Sequence, residues 1–462
     1  MKKSLCMILA IFLVLAPLGG CGDSGTTQGS AGTPAAGGMS GEGERVPITM
    51  WFWAAAPFQR DAFQAHLVDA FNNSQDEYEL ILEFQEGVDD NISVALSADQ
   101  GPDIVYGSGP AFVGGFAGGG KLANLDKYAE KYGWADRLLS PFYDACTVDG
   151  SLYSIPGGLT STGYCFNQKV LDDNGWTLPT TEAELVSILD QAQELGMYSA
   201  LTGGKDWRPT NELFVNIFLA HYAGPEVVYQ CLTGERPWNN EYVIEALKMC
   251  DDWYQKGYFA GDDYWNLDYS EAAQLFVNER SPFWFGPTLL FQFIQREADP
   301  SQTGGIKFAN FPNFREGLPD PVYDIGAVCS YSINAASKNP DGAAMVLDMM
   351  LTPEFAGNMS KAWAGYWGIP IRDLSNIDMS GAGALNLNYL EACFEIVETV
   401  DNGNFSYNAA TFFPASTFQR VIDIDTVWEG VATVEELVVE IDAAYKDDVD
   451  AKLVPSIPRT GR

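Results

Sequence analysis

The chain has 462 residues and a formal net charge of −36, with 62 acidic side chains against 26 basic ones. A surface this acidic repels phosphate backbones and anionic headgroups, which excludes nucleic acid and acidic lipid as partners. The length exceeds what one hydrophobic core usually holds, so two lobes are expected.

The first segment, MKKSLCMILAIFLVLAPLGGC, sets Lys2 and Lys3 before an apolar run at 5–15 and ends on small residues at Cys21. That run is too short to span a bilayer and has the order of a secretory signal. Leu18-Gly19-Gly20-Cys21 resembles a bacterial lipobox. The resemblance implies a signal peptide at 1–20, lipid on Cys21, and a protein held on the extracytoplasmic face of the cell membrane. Several acyl chains, at about 0.8 kcal/mol per buried CH₂, make such an anchor nearly permanent. Losing the two lysines takes the charge from −36 to −38. Residues 21–45 are nearly all Gly, Ser, Thr, Ala and Pro and form a flexible leash. No later apolar run approaches bilayer length.

The folded part begins near Val46. Residues 46–53, VPITMWFW, are β-branched and aromatic with polar interruptions, which predicts a strand. Residues 58–72 repeat Phe63, Leu67, Ala70 and Phe71 at helical spacing. Strands at 78–84 and 103–106 flank a short helix at 92–98, the order of a parallel α/β lobe. Thr181 and Glu184 form a capping box for a helix whose buried face is Leu185, Ile188, Leu189, Ala192 and Leu195, with Gly196 ending it. Further helices are predicted at 241–256 and 270–278. Thr433 and Glu436 make a second capping box before a final amphipathic helix.

Cys6 leaves with the signal. Cys146, Cys165, Cys231, Cys250, Cys329 and Cys393 remain, none in a CxxC pair, and the chain has only His66 and His221. A zinc site is therefore not expected, and neither is any cofactor. An exported chain could form three bridges from these thiols, or bury them singly.

Several segments together resemble the extracellular solute-binding proteins of family 1, the maltose-binding-protein-like, sugar-binding subunits of ABC importers. The first is Gly101-Pro102-Asp103-Ile104-Val105, with Gly114-Gly115-Phe116-Ala117 and Leu122-Ala123-Asn124-Leu125 after it. The next is Asp149-Gly150-Ser151-Leu152-Tyr153-Ser154-Ile155-Pro156, with Phe166-Asn167 downstream. Then come Ser332-Ile333-Asn334-Ala335-Ala336-Ser337, Leu351-Thr352-Pro353-Glu354-Phe355, Trp367-Gly368-Ile369-Pro370 and Gly430-Val431-Ala432-Thr433. Each alone is weak; their order over nearly the whole chain carries the likeness.

The resemblance implies a two-lobe α/β fold of the periplasmic-binding-protein type (type II), with ligand in a cleft between lobes joined by crossing hinge segments. Lobe 1 would comprise 46–158 and about 308–366, and lobe 2 would comprise 159–307 and about 367–462. The crossings would fall near 157–161, 326–330 and 366–371. It also implies a monomer that captures a carbohydrate, an oligosaccharide, and delivers it to ABC permease subunits. A non-sugar solute, a sensor-linked receptor and a secreted carbohydrate-active enzyme are the alternatives. No G-x-S-x-G or HExxH motif points to the last.

Sugars present apolar C–H faces to aromatic rings and hydroxyl rims to polar groups. The candidate contacts lie at strand ends and in loops. Trp53 is nearer its loop than Trp51, which is assigned to the core. Glu86 ends the second strand and Ser108 follows the third. Trp207 and Trp265 sit in Gly- or Asp-rich loops. Where relatives carry a Trp after a conserved-spacing glycine, this chain has Gly286-Pro287-Thr288, so Trp284 or Phe285 is the substitute. Tyr366 and Trp367 sit on the third crossing, and Phe412 and Phe413 in a late loop. With 12 Trp, 21 Tyr and 27 Phe, most rings must be core. Changing Cys21 to Ala is expected to move the protein from the membrane fraction to the medium; unaltered retention would disprove the anchor.

Overall fold

The computed structural model describes residues 45–205, 207–365 and 370–461. The signal, Cys21 and the leash through residue 44 lie outside these, as do Tyr366 and Trp367.

The first strand, Val46–Trp53, buries Ile48, Met50 and Phe52. Period-2 alternation sends Trp51 and Trp53 to the other face, where both are half-buried. Trp51, assigned to the core from the sequence, packs against the first core from that face and is only half-buried. The strand pairs in parallel with Tyr78–Gln85 and Ile104–Gly107. Parallel neighbours need a crossover. The first is a helical stretch, Pro57–Phe63, Gln64–Asp69 and Ala70–Ser74, with a π-helical middle turn, and the second is the helix Val88–Ser97. Asp103 enters the third strand with both oxygens engaged, accepting from Thr49 N and Oγ1 at 2.9 Å and from Ser337 Oγ at 2.6 Å.

A second sheet orders Ile306–Ala309, Thr162–Asn167, Phe283–Pro287 and Ala200–Leu201, antiparallel except for its last pair. Helices cover it. Among them Glu182–Glu194 and Val434–Asp450 carry the two expected capping boxes, and Tyr269–Val277 a third, from Asp268 and Glu271. Leu195 departs from expectation. It is the C-cap residue and 60% exposed, because past the last turn no core remains to cover it. The six downstream cysteines are all buried and unbridged. Among the described residues, no helix is long and apolar enough to cross a membrane.

Three cores result: a first around the first sheet, a second on one face of the second sheet and a third on its other face. Two strands run through the first and the second. Tyr323–Ile333 places Tyr323, Ile325 and Ala327 in the second core, and Cys329, Tyr331 and Ile333 in the first. Its antiparallel partner Ser154–Thr160 does the same with Ile155 and Leu159. Leu139 N also donates to Pro370 O at 2.9 Å, and Leu138 bridges to Ile371.

The second core encloses His221, which is 2% exposed. Burial lowers its pKa to about 4, with a hydrogen bond to Asn313 acting in the opposite direction. Unfolded, the imidazole protonates near its ordinary 6.5. The unfolded chain therefore gains the proton first, and stability should fall by about 3 kcal/mol as pH drops from 6.5 to 4. Thermal melts of His221→Gln at pH 7 and pH 4.5 should show a smaller loss between the two values than the parent; an equal loss would assign the acid sensitivity to other groups.

Candidate functional site

A cavity of about 850 Å³ opens where the first core faces the other two across the crossing strands. Three sets of elements build it. The first core contributes strand ends: Trp53, Tyr106, Ser108 and, one turn into the next helix, Phe112. Gly109 makes the tight exit from that strand. Its φ is +103°, and a Cβ there would lie 2.8 Å from the Ala327 carbonyl.

The crossing segments contribute Thr160 and Ala327, and the loop packed on them contributes Asn408, Ala410 and Thr411. Thr411 Oγ1 accepts from Ala327 N at 3.0 Å, and Asn408 Nδ2 donates to Asp324 at 2.8 Å. The other side contributes Trp207 and Glu212, then Tyr269 and Phe293 of the third core with Gln292 beside Phe293, and Phe413 and Phe418 complete the wall.

Trp207 is held out by its neighbours. Arg208 donates to Asp425 from Nε at 2.7 Å and from Nη2 at 3.0 Å, and its Nη2 also donates to Asp423. Thr210 Oγ1 donates to the Trp207 carbonyl. The Trp207 ring is 36% exposed and leans on Tyr269 at 5.8 Å between centroids; Tyr269 in turn meets Phe293 at 4.9 Å. Trp53 meets Trp363 edge-on at 6.1 Å. Gln292 Oε1 accepts from Gln59 Nε2 at 2.9 Å and from Trp363 Nε1 at 3.2 Å, a polar contact between residues of the two halves. Glu212 differs from the rest. It is 5% exposed and its Oε2 is buried with no hydrogen-bond partner. Burial first, then the charge of Asp324, raises its pKa well above the usual carboxylate range.

Of the residues singled out from sequence, the cavity brings together Trp53, Ser108, Trp207 and Phe413. Four others lie elsewhere. Glu86 is in an exposed turn, where its carbonyl accepts from Asn91. Trp265 packs on Tyr264 at 4.7 Å and donates to Tyr254 OH at 3.2 Å. Phe285 is 1% exposed among Phe311, Trp253 and Phe259, because inward alternation of its strand points it into the second core. Trp284, on the opposite face, is also fully buried, so neither substitutes for the absent Trp. Phe412 is buried against Tyr407.

Sequence reasoning missed Tyr106, Phe112, Glu212, Tyr269, Phe293, Asn408 and Phe418. Glu212 had a readable signal: an acid inside the apolar helix segment NELFVNIF. The rings had none, since half-buried aromatics in helices look alike whichever surface they meet.

Comparison with known proteins gives the context. Residues 57–356 match the family model described as bacterial extracellular solute-binding protein. A probable sugar-binding periplasmic protein of Rhizobium meliloti (strain 1021) is 33% identical over 90 residues, 19% of this chain and 22% of that one. The chain thus spans about a fifth of the length of the first curated relatives it matches. The diacetylchitobiose binding protein NgcE of Streptomyces coelicolor is 22% identical over 274 residues, 56% of each chain. Among solved structures, a chitin oligosaccharide binding protein aligns with TM-score 0.71 and 17% identity, over 88% of this chain and 100% of that one. The sugar-binding protein MalE of Xanthomonas citri aligns with TM-score 0.68 and 17% identity, over 88% and 98%. These neighbours establish the two-lobe α/β fold.

The two loop tryptophans now separate. Trp207→Ala is expected to weaken ligand binding about tenfold, roughly 1.4 kcal/mol, with little change in melting. Trp265→Ala should leave affinity unchanged and cost about 1–3 kcal/mol of stability. Calorimetric titration and thermal melts of both variants check this; the reverse pattern would move the ligand contact to Trp265.

Proposed function

Because the chain belongs to the bacterial extracellular solute-binding protein family, we propose that its cleft captures a carbohydrate outside the cytoplasm and delivers it to the permease of an ABC importer. The observation that carries the carbohydrate assignment is the wall of the cavity. Trp53, Trp207, Tyr269 and Phe413 supply ring faces from both sides, with Ser108, Asn408, Thr411 and Gln292 between them. Ring faces suit the apolar faces of sugars, and sparse amides and hydroxyls suit their rims. A volume near 850 Å³ has room for an oligosaccharide rather than one ring. The sugar-binding names of the curated relatives and of the fold neighbours support the same class.

The family and its neighbours bind solutes, and the role assigned here is capture without chemistry. Lipid on Cys21 would hold the protein on the extracytoplasmic face, and residues 22–44 would let the folded part reach its permease. The lobe limits 46–158 with 308–366, and 159–307 with 367–462, belong to the same proposal. The lobes would close on ligand about the crossing strands.

A thermal-shift screen of mono- and oligosaccharides tests the assignment. A bound sugar at a hundredfold above its dissociation constant should stabilise the fold by about 2.7 kcal/mol. Stabilisation by metals or small non-sugar solutes, with none from any sugar, would refute the carbohydrate class.

A further inference from the structure

Glu212 is the one charged side chain among the described residues that line the cavity. Its Oε2 is not bonded by Asn216 Nδ2, one turn along the same helix, or by the Tyr269 hydroxyl, both of which are also buried without partners. The helix Asn211–Phe218 that carries it is fixed at its start: Asn211 donates from Nδ2 to the Ile422 carbonyl at 2.7 Å and accepts from Tyr264 OH at 2.6 Å. Arg208, four residues earlier, is committed to Asp423 and Asp425. Asp324, whose charge Glu212 feels, has both oxygens engaged by Ser161, Thr162 and Asn408. One buried acid therefore lines the site, a second, Asp324, acts on it by its charge, and no basic side chain is among the described lining residues.

A buried polar atom left without a partner costs about 1–3 kcal/mol, and a ligand group that satisfies it recovers that cost. The sign of the local charge decides which ligand group does so best. An acidic sugar would set a second negative charge near that of Asp324. A hydroxyl would offer a neutral hydrogen bond. An ammonium would offer a charge-assisted one, roughly twice as strong. It would also offset Asp324 and face the negative ring surfaces of Trp207 and Tyr269, which line the same wall. An ammonium beside the acid also favours its ionised form, opposing the upward push from burial.

We propose, on the carbohydrate reading above, that the sugar taken by this cleft carries a free amine, and that Glu212 is the specificity-determining residue that pairs with it. Its carboxylate binds the ammonium, its position excludes uronic acids, and the aromatic walls hold the ring faces.

The test is calorimetric titration of the full chain with three matched sets of β-1,4-linked oligosaccharides of two to four residues. One is built from glucosamine, one from glucose, and one carries a terminal glucuronate. The glucosamine set should bind at least tenfold tighter than the glucose set, and the glucuronate set should show no heat. In Glu212→Gln the ratio between amine and neutral sugars should fall below about threefold. The melting temperature of unliganded Glu212→Gln should be equal to or above that of the parent, since the substitution removes a buried acid. Equal or tighter binding of glucose oligosaccharides by the parent overturns the inference and leaves the carbohydrate reading standing. So does a ratio that survives in Glu212→Gln. Silence from all three sets, with no sugar active in the thermal screen, overturns both.

Discussion

The carboxylate of Asp324 is the contact on which the rest of this architecture depends. It sits on the strand Tyr323–Ile333, 2% exposed, and receives donors from two other segments. Ser161 Oγ reaches it at 2.9 Å, Thr162 Oγ1 at 2.8 Å and Asn408 Nδ2 at 2.8 Å, and Thr162 N also donates to it. Ser161 and Thr162 lie where the first crossing passes into the second sheet, so one side chain joins both crossing strands to the loop that floors the cavity. A buried ion is tolerable only when its lone pairs are filled, and here they are filled by the segments whose mutual placement the site requires. Thr160, Ala327, Asn408 and Thr411 all take their positions in the cavity from this junction.

Against that polar junction stands an unusually aromatic second core. Phe214 stacks on Phe259 at 4.0 Å, and Tyr254 on Trp428 at 4.3 Å, while Trp253, Phe285, Phe311 and Phe314 close the space between helices and sheet. Large rings packed this way make the second half a rigid wall. Of the rings that reach the cavity, Phe413 is the outer edge of this packing, while Tyr269, in contact with Trp207 and Phe293, belongs to the third core. Phe413 leans on Trp238 at 5.0 Å. A preformed aromatic face of this kind loses little side-chain entropy when a ligand lands on it.

Elements whose signal is local were legible in the sequence. The alternation of Ile48, Met50 and Phe52, the capping boxes at Thr181 and Thr433, and the arrest at Gly196 all follow from side-chain period and end chemistry. The site was legible only in part, because its walls are set by contacts distant in sequence. Trp207 and Trp265 occupy similar loops. One is propped outward by Arg208 on Asp423 and Asp425, the other folded back onto Tyr264, and nothing local to either tryptophan distinguishes them. Phe285 and Phe412 failed for the opposite reason. Both are in elements near the cleft, but their faces of strand and turn point inward. Glu212 was the exception, a charge in an apolar helix whose oddity was visible without coordinates.

The two ends of the cavity are built from bonds of different kinds. At the crossing strands the halves share backbone pairing from Gly326 to Ser332 and the buried Asp324 junction. At the Gln292 end they share the Gln59–Gln292 hydrogen bond, with Trp363 donating to the same oxygen, and Gln295 bonds both the Ala362 carbonyl and Ala364 N. A neutral amide bond of that kind contributes about 1 kcal/mol net, because water replaces it when it opens. The contacts at the Gln292 end are neutral hydrogen bonds that water could replace, whereas the Asp324 junction gathers its donors around one buried carboxylate. Gln292 lines the cavity as well as bridging it, so any group in the cavity that bonded its amide oxygen would compete there with Gln59 and Trp363.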